Sequence, residues 1–204
     1  MKKFKYIYGP VPSWRIGSSL GIDLLSQTEK ICSFDCIYCQ LGKTKSYSLS
    51  RERYVNEAEV VKELAMLPSD VRIDFLTFSG RGEPTLAANL GDAIRAAKKV
   101  RTEPIAVITN SSTIDREDVT QELALADYVI AKLDAPTQEM FEVINRPGET
   151  IRFHGVLEGI KRFRGGYKGK LALQLMFTKE NENCAGELAR IVQDIGPDEV
   201  QINT

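Results

Sequence analysis

Short apolar runs and longer amphipathic stretches alternate along this chain. Strand-length runs rich in Val, Ile, Leu and aromatic residues fall at 20–25, 73–78, 105–109, 128–133, 171–177 and 200–203. Helix-length segments separate them. The first helix spans 58–67 and stops at Pro68, and Leu90, Ile94 and Ala97 give the second its buried stripe. Asp115 can cap the third, which would bury Val119 and Leu123. Phe153, Val156, Leu157, Ile160 and Phe163 keep a helical rhythm through the fourth. Leu188, Ile191, Val192 and Ile195 do so through the fifth, which Gly196-Pro197 closes. This alternation predicts parallel strands joined by right-handed crossovers.

A doubly wound sheet and an open barrel both satisfy that pattern, and strand parity favours the barrel. Leu171, Leu173, Leu175 and Phe177 take one face of their strand, while Gln174 and Met176 take the other. Lys132 shares a face with Asp134, and Gln201 with Asn203. Polar side chains recurring on one face suit a barrel with a polar interior, which carries its chemistry at the C-terminal ends of its strands.

Composition narrows the possibilities. The 204 residues, 43% hydrophobic and 27% charged, form a single domain over 1–204 with a short arm at 1–19. With 27 Lys and Arg against 28 Asp and Glu, the net charge of −1 excludes a global positive field and does not favour nucleic acid as a partner. No apolar run approaches the roughly 20 residues of a membrane span. None precedes Gly9-Pro10 as in a signal peptide. No membrane partner and a cytoplasmic location are expected.

The cysteines change the picture most. Of four, three (Cys32, Cys36 and Cys39) lie in the loop after the first strand, while Cys184 stands alone. Such clustering points to metal or redox chemistry rather than to a disulfide scaffold. Three thiolates can hold three irons of a [4Fe–4S] cluster and leave the fourth open. An electron-transfer ferredoxin supplies a fourth Cys nearby, and a structural zinc site wants a fourth Cys or His, whereas His154 is the only histidine. The rival reading is a non-catalytic iron–sulfur or zinc-binding scaffold.

Other polar groups fall at strand ends. Ser79-Gly80-Arg81-Gly82-Glu83-Pro84-Thr85 follows the second strand, and its glycines let backbone approach a ligand while its carboxylate can accept from an ammonium group. Thr109-Asn110-Ser111-Ser112 ends the third. Lys132 and Asp134 close the fourth as the candidate catalytic pair, because a lysine inside a half-open barrel needs a partner. Lys43, Lys45, Arg51 and Arg53 follow the cysteines and are placed to meet an anionic substrate. The basic segment 161–170 is expected on the opposite face, as ordinary helix C-terminal chemistry. His154 reads as a helix-flank residue and Cys184 as a lone thiol at a helix entry.

Cys32-x3-Cys36-x-Tyr38-Cys39 resembles the signature of the radical S-adenosylmethionine (SAM) superfamily. The resemblance implies an α/β fold, an open (β/α)6 partial barrel. It also implies a [4Fe–4S] cluster on Cys32, Cys36 and Cys39, with SAM chelating the fourth iron through its amino and carboxylate groups. Tyr38 would then pack near the adenine, Gly80, Gly82 and Glu83 would bind the amino group, and Asn110 and Ser111 would meet the ribose or methionine portion. Lys132 and Asp134 would hold SAM or substrate. An external one-electron donor of flavodoxin or ferredoxin type is implied, and the substrate is unknown. The Gly9-Pro10-Val11-Pro12-Ser13 and Gly17-Ser18-Ser19-Leu20-Gly21-Ile22-Asp23-Leu24 segments, with Cys36-Ile37-Tyr38-Cys39-Gln40-Leu41-Gly42, are similar to a subgroup containing wyosine tRNA synthetases. Those synthetases carry a second cysteine cluster that this chain lacks, so their activity is not carried over. The C-terminal segment usual in the subgroup is expected to be absent after Gln201-Ile202-Asn203-Thr204.

Overall fold

The computed structural model describes residues 4–45, 47–68 and 70–204. Seven strands form one sheet whose spatial order is their chain order. β1 (Ile7–Ser13) pairs antiparallel with β2 (Gly17–Ile22). From β2 onward every pairing is parallel, through β3 (Phe75–Phe78), β4 (Ile105–Thr109), β5 (Tyr128–Lys132), β6 (Lys170–Met176) and β7 (Glu199–Asn203). Helices α1 (Glu57–Ala65), α2 (Leu90–Val100), α3 (Glu117–Leu123), α4 (Gln138–Ile144), α5 (Phe153–Gly166) and α6 (Ala185–Ile195) connect them. The result is an α/β half-barrel whose six parallel strands are those expected from the sequence. The additional strand β1 lies within the expected arm. It sits at the sheet edge, where Pro10 and Pro12, which have no N–H to donate, are tolerated.

The two faces of the sheet differ as strand parity predicts. Leu20, Ile22, Leu76, Phe78, Ile105 and Val107 lie with Val60, Leu64, Ile94 and Ala97 of α1 and α2 in the main core. The other face carries a polar row. Lys132, Gln174 and Gln201 are in register across β5, β6 and β7. Lys132 Nζ donates to Gln174 Oε1 at 3.3 Å, Gln174 Nε2 to Gln201 Oε1 at 3.2 Å, and Gln201 Nε2 to the Tyr128 hydroxyl at 2.8 Å. Below it, Ile16, Ala106, Tyr128, Ile130 and Ala172 form a small apolar floor.

Two local features depart from expectation. α4 was not foreseen: the Thr137 side chain caps it by accepting from Met140 N at 3.3 Å, and Phe141 packs edge-on against Phe34 with ring centroids 5.2 Å apart. Asp115 does not cap α3. The helix starts one residue later, with Arg116 at its N-cap, and the Asp115 carbonyl accepts from Arg162 Nη2 at 2.6 Å instead. Among the described residues, no helix is long and apolar enough to cross a membrane.

Candidate functional site

The loop leaving β2 carries the three cysteines, and two neighbouring segments clamp it at the C-terminal ends of the strands. On one side Ile31 N donates to Arg81 O and Glu83 N to Ile31 O, each at 3.0 Å. Glycine is required for that approach. A Cβ on Gly82, at φ +148°, would stand 1.6 Å from the Ile31 carbonyl oxygen, and one on Gly80, at φ +140°, 2.4 Å from Asp23 Cγ. On the other side the end of α4 supplies carbonyls. Ile37 N donates to Ile144 O at 2.9 Å and Asp35 N to Asn145 O at 3.1 Å, while Gly148 N reaches Ser33 O at 2.9 Å. The orphan carbonyls of a helix C-terminus thus hold the cysteine loop.

All three thiols of this loop are free. Cys36 and Cys39 share one tight turn, closed by Cys39 N donating to Cys36 O at 3.0 Å. Each sulfur meets a different side-chain donor. Asn110 Nδ2 lies 3.6 Å from Cys32 Sγ, Asn145 Nδ2 3.5 Å from Cys36 Sγ, and Lys30 Nζ 3.3 Å from Cys39 Sγ. Burial pushes the Cys32 thiol up to about 12 and raises that of Cys36. Such thiols stay protonated at neutral pH until a metal displaces the proton. Among the described residues, no three His, Cys, Asp or Glu side chains converge on a single-ion site. Three free thiols in one clamped loop, each with its own side-chain donor, are a donor set that suits an iron–sulfur cluster.

Glu83 lies beside the loop and is 1% exposed. Its Oε1 accepts from Thr85 N at 3.1 Å and from the Thr85 and Thr109 hydroxyls at 2.7 Å, and its Oε2 from Asn110 N at 2.6 Å. Burial raises its pKa against these bonds, and among the described residues no Lys or Arg pairs with it. Asn110 turns its side chain to the cysteine loop, donating to Ser33 Oγ at 2.9 Å as well as approaching Cys32. Ser111, at φ +67°, directs its hydroxyl to Lys132 O at 3.4 Å, which links the ends of β4 and β5.

Asp134 gathers the other side of the site. Its side chain is fully buried. The Tyr38 hydroxyl and Asn145 Nδ2, the latter at 2.7 Å, both donate to Oδ2, and Met176 N donates to Oδ1 at 2.9 Å. Lys132 Nζ stands 3.6 Å from Oδ1 and 4.9 Å from the centre of the Tyr38 ring. Burial, then the Asp134 charge, pushes the Tyr38 phenol upward, so it is a neutral donor.

The structure thus joins the sequence-derived candidates into one bonded set, from Glu83 through Asn110 to Cys32 and from Cys36 to Asp134, Tyr38 and Lys132. Lys30 and Asn145 belong to it without having been foreseen. Lys30 precedes the cysteines by only two positions, but Asn145 reaches Cys36 across 109 residues and no local pattern marks it. The basic residues divide differently than expected. Arg51 is not available to a substrate: its side chain is 7% exposed and binds Asp118 at 2.7 Å, Glu122, and the carbonyls of Thr85 and Ala87. Arg53 pairs with Glu57 at 2.8 Å and Lys45 with Glu29 at 2.7 Å, while Lys43 is exposed. In the 161–170 segment, Arg164 pairs with Asp198 at 2.9 and 3.0 Å and Lys170 opens β6. Both lie at the strand ends opposite the cysteines, as expected. His154 is exposed near the start of α5, and Cys184 is half-buried at the entry to α6.

Residues 28–192 match the family described as the Radical SAM superfamily. The chain belongs to that superfamily. It is 38% identical over 204 residues to a UPF0026 protein of Synechocystis, covering 98% of this chain and 75% of that protein. It is also 37% identical over 206 residues to a protein of Brachyspira hyodysenteriae named GTPase Obg, covering 99% of this chain but only 30% of that protein. The fold is similar to that of anSMEcpe with bound AdoMet, at TM-score 0.66 and 19% identity, covering 91% of this chain and 49% of that one. The radical SAM family implies SAM and an iron–sulfur cluster as cofactors.

Proposed function

We propose that this radical SAM chain is an enzyme domain that binds a [4Fe–4S] cluster through Cys32, Cys36 and Cys39 and presents its fourth iron to SAM. The carrying observation is the set of three free thiols in one clamped loop, each approached by its own N–H donor, beside a buried carboxylate with no cationic partner among the described residues. Once held there, such a group would supply the electron for reductive cleavage of SAM to methionine and a 5′-deoxyadenosyl radical able to take a hydrogen atom from substrate. A reductant and a substrate are therefore required, the reductant being of flavodoxin or ferredoxin type.

The residues divide the remaining work. Glu83 is poised to accept from the ammonium of SAM, since among the described residues its Oε2 holds only the Asn110 N–H. Asn110 and Ser111 occupy the end of β4, where the methionine or ribose portion would lie. Tyr38, held by Asp134 and covered by Lys132, offers an ordered aromatic face to the adenine. Lys132, the least buried member of the row it forms with Gln174 and Gln201, gives the half-barrel interior a cation for a polar substrate.

Anaerobic reconstitution with iron and sulfide tests the assignment. The unaltered chain and Cys184→Ala should take up four irons per chain, whereas Cys36→Ala should lose the cluster absorption. Full iron content in Cys36→Ala would overturn the proposal.

A further inference from the structure

Among the described residues, Lys30 is the one charged side chain hydrogen-bonded to a cysteine sulfur, and it lies outside the cysteine signature. Its ammonium is 3.3 Å from Cys39 Sγ, 2.9 Å from the Gly42 carbonyl oxygen and 3.6 Å from Asp35 Oδ1. The side chain is only 6% exposed. The donors facing the other two sulfurs, Asn110 and Asn145, are neutral amides. A lysine loses rotamer freedom and hydration on being buried like this, and a neutral donor could satisfy the Gly42 carbonyl equally well. A neutral thiol is moreover a poor acceptor for an ammonium, whereas a metal-bound thiolate is a good one. Asp35 screens part of the charge, but its Oδ1 is also occupied by Thr44 N at 2.6 Å.

Taking up an electron makes a cluster one unit more negative. A cation beside a ligating sulfur stabilises the reduced form, and charge and hydrogen bonding at the sulfurs are recognised means of setting such potentials. We propose that Lys30 is a positioning residue that acts through Cys39 Sγ to raise the reduction potential of the cluster, easing electron entry from the donor. This rests on the cluster assignment above but is separable from it, because the same cluster could form with Lys30 serving only to close the loop between residues 30 and 42.

The test is an EPR-monitored redox titration of anaerobically reconstituted protein bearing Lys30→Met, Lys30→Gln or Lys30→Arg, with iron content measured in parallel. At the midpoint of the unaltered protein, Lys30→Met should show a reduced-to-oxidised ratio about tenfold lower, which for one electron is about 59 mV. Lys30→Arg, which keeps the charge, should stay within about twofold of the unaltered ratio. If Lys30→Met does not hold iron, the comparison of Lys30→Gln with Lys30→Arg decides, and the glutamine variant should be the harder to reduce. Iron-replete variants titrating together would overturn the proposal, as would equal loss of iron from all three. An unaltered chain that forms no cluster would overturn it together with the cluster assignment.

Discussion

The side-chain amide nitrogen of Asn145 lies 2.7 Å from Asp134 Oδ2, and that bond joins the end of α4 to the mouth of the half-barrel. The same nitrogen faces Cys36 Sγ at 3.5 Å. One amide therefore ties the cysteine loop to the carboxylate that also holds Tyr38 and Lys132. Removing it leaves a fully buried carboxylate oxygen short of a donor. Asn145→Ala should lower the free energy of unfolding of the iron-free protein by about 1–3 kcal/mol, measured by urea titration. A change within about 0.5 kcal/mol, the range of ordinary surface substitutions, would show that the bond is incidental.

Glu83 has two oxygens that both accept backbone N–H groups, from Thr85 and Asn110. Glutamine has one accepting oxygen, so in either orientation its NH2 group would confront an N–H. Glu83→Gln is predicted to destabilise the protein by about 1–3 kcal/mol without SAM present, despite removing a buried charge. A neutral or stabilising effect would mean that desolvation of the carboxylate outweighs its hydrogen bonds.

Thiol reactivity provides an inexpensive check on the loop. Burial pushes Cys32 up to about 12, so at pH 8 almost none of it is thiolate, the reactive form. In iron-free protein, iodoacetamide labelling followed by mass spectrometry should modify Cys39 and Cys184, both half-buried, before Cys32. Labelling of Cys32 first would show that the loop is open in solution.

The ion pairs of α3 predict an acid limb. Arg116 binds Asp118 through Nε at 3.0 Å and Nη2 at 3.1 Å. Its bonds, with those of Arg51 and against the cost of burial, hold the carboxyl down to about 2. A depressed folded-state value means that the contribution is fully present above the unfolded carboxylate value of about 4 and is lost as pH falls through about 2. The stability difference between the unaltered protein and Asp118→Asn should be flat above about pH 5 and shrink progressively below about pH 4. A difference that persists unchanged down to pH 2 would contradict the assignment.

Much of this architecture was legible in the sequence because strand parity and helical rhythm are local. The alternation of Leu171, Leu173 and Leu175 with Gln174 and Met176 is the register the sheet adopts, and it brings Gln174 beside Lys132. α4 escaped notice because only Phe141 and Ile144 are buried in its seven residues, too few to establish a period. β1 escaped because prolines at 10 and 12 argue against a strand except at an edge, and edge position is a property of the whole sheet. The cysteines announced themselves by spacing. The part played by Asn145 could not be read the same way, since an isolated asparagine acquires its role only when α4 docks on Phe34 and Asp134. Arg51 shows the converse, a basic residue in a loop whose charge is consumed by Asp118 and Glu122 once α3 packs beside it.

The most direct test of the central claim is an EPR spectrum of the anaerobically reconstituted, reduced protein recorded with and without SAM. Three cysteine ligands leave one iron of a [4Fe–4S] cluster open, so SAM should bind there and change the g-values and line shape of the reduced-cluster signal. A reduced [4Fe–4S] signal that is identical in the presence of saturating SAM would contradict the account and identify the cysteine loop as a non-catalytic scaffold.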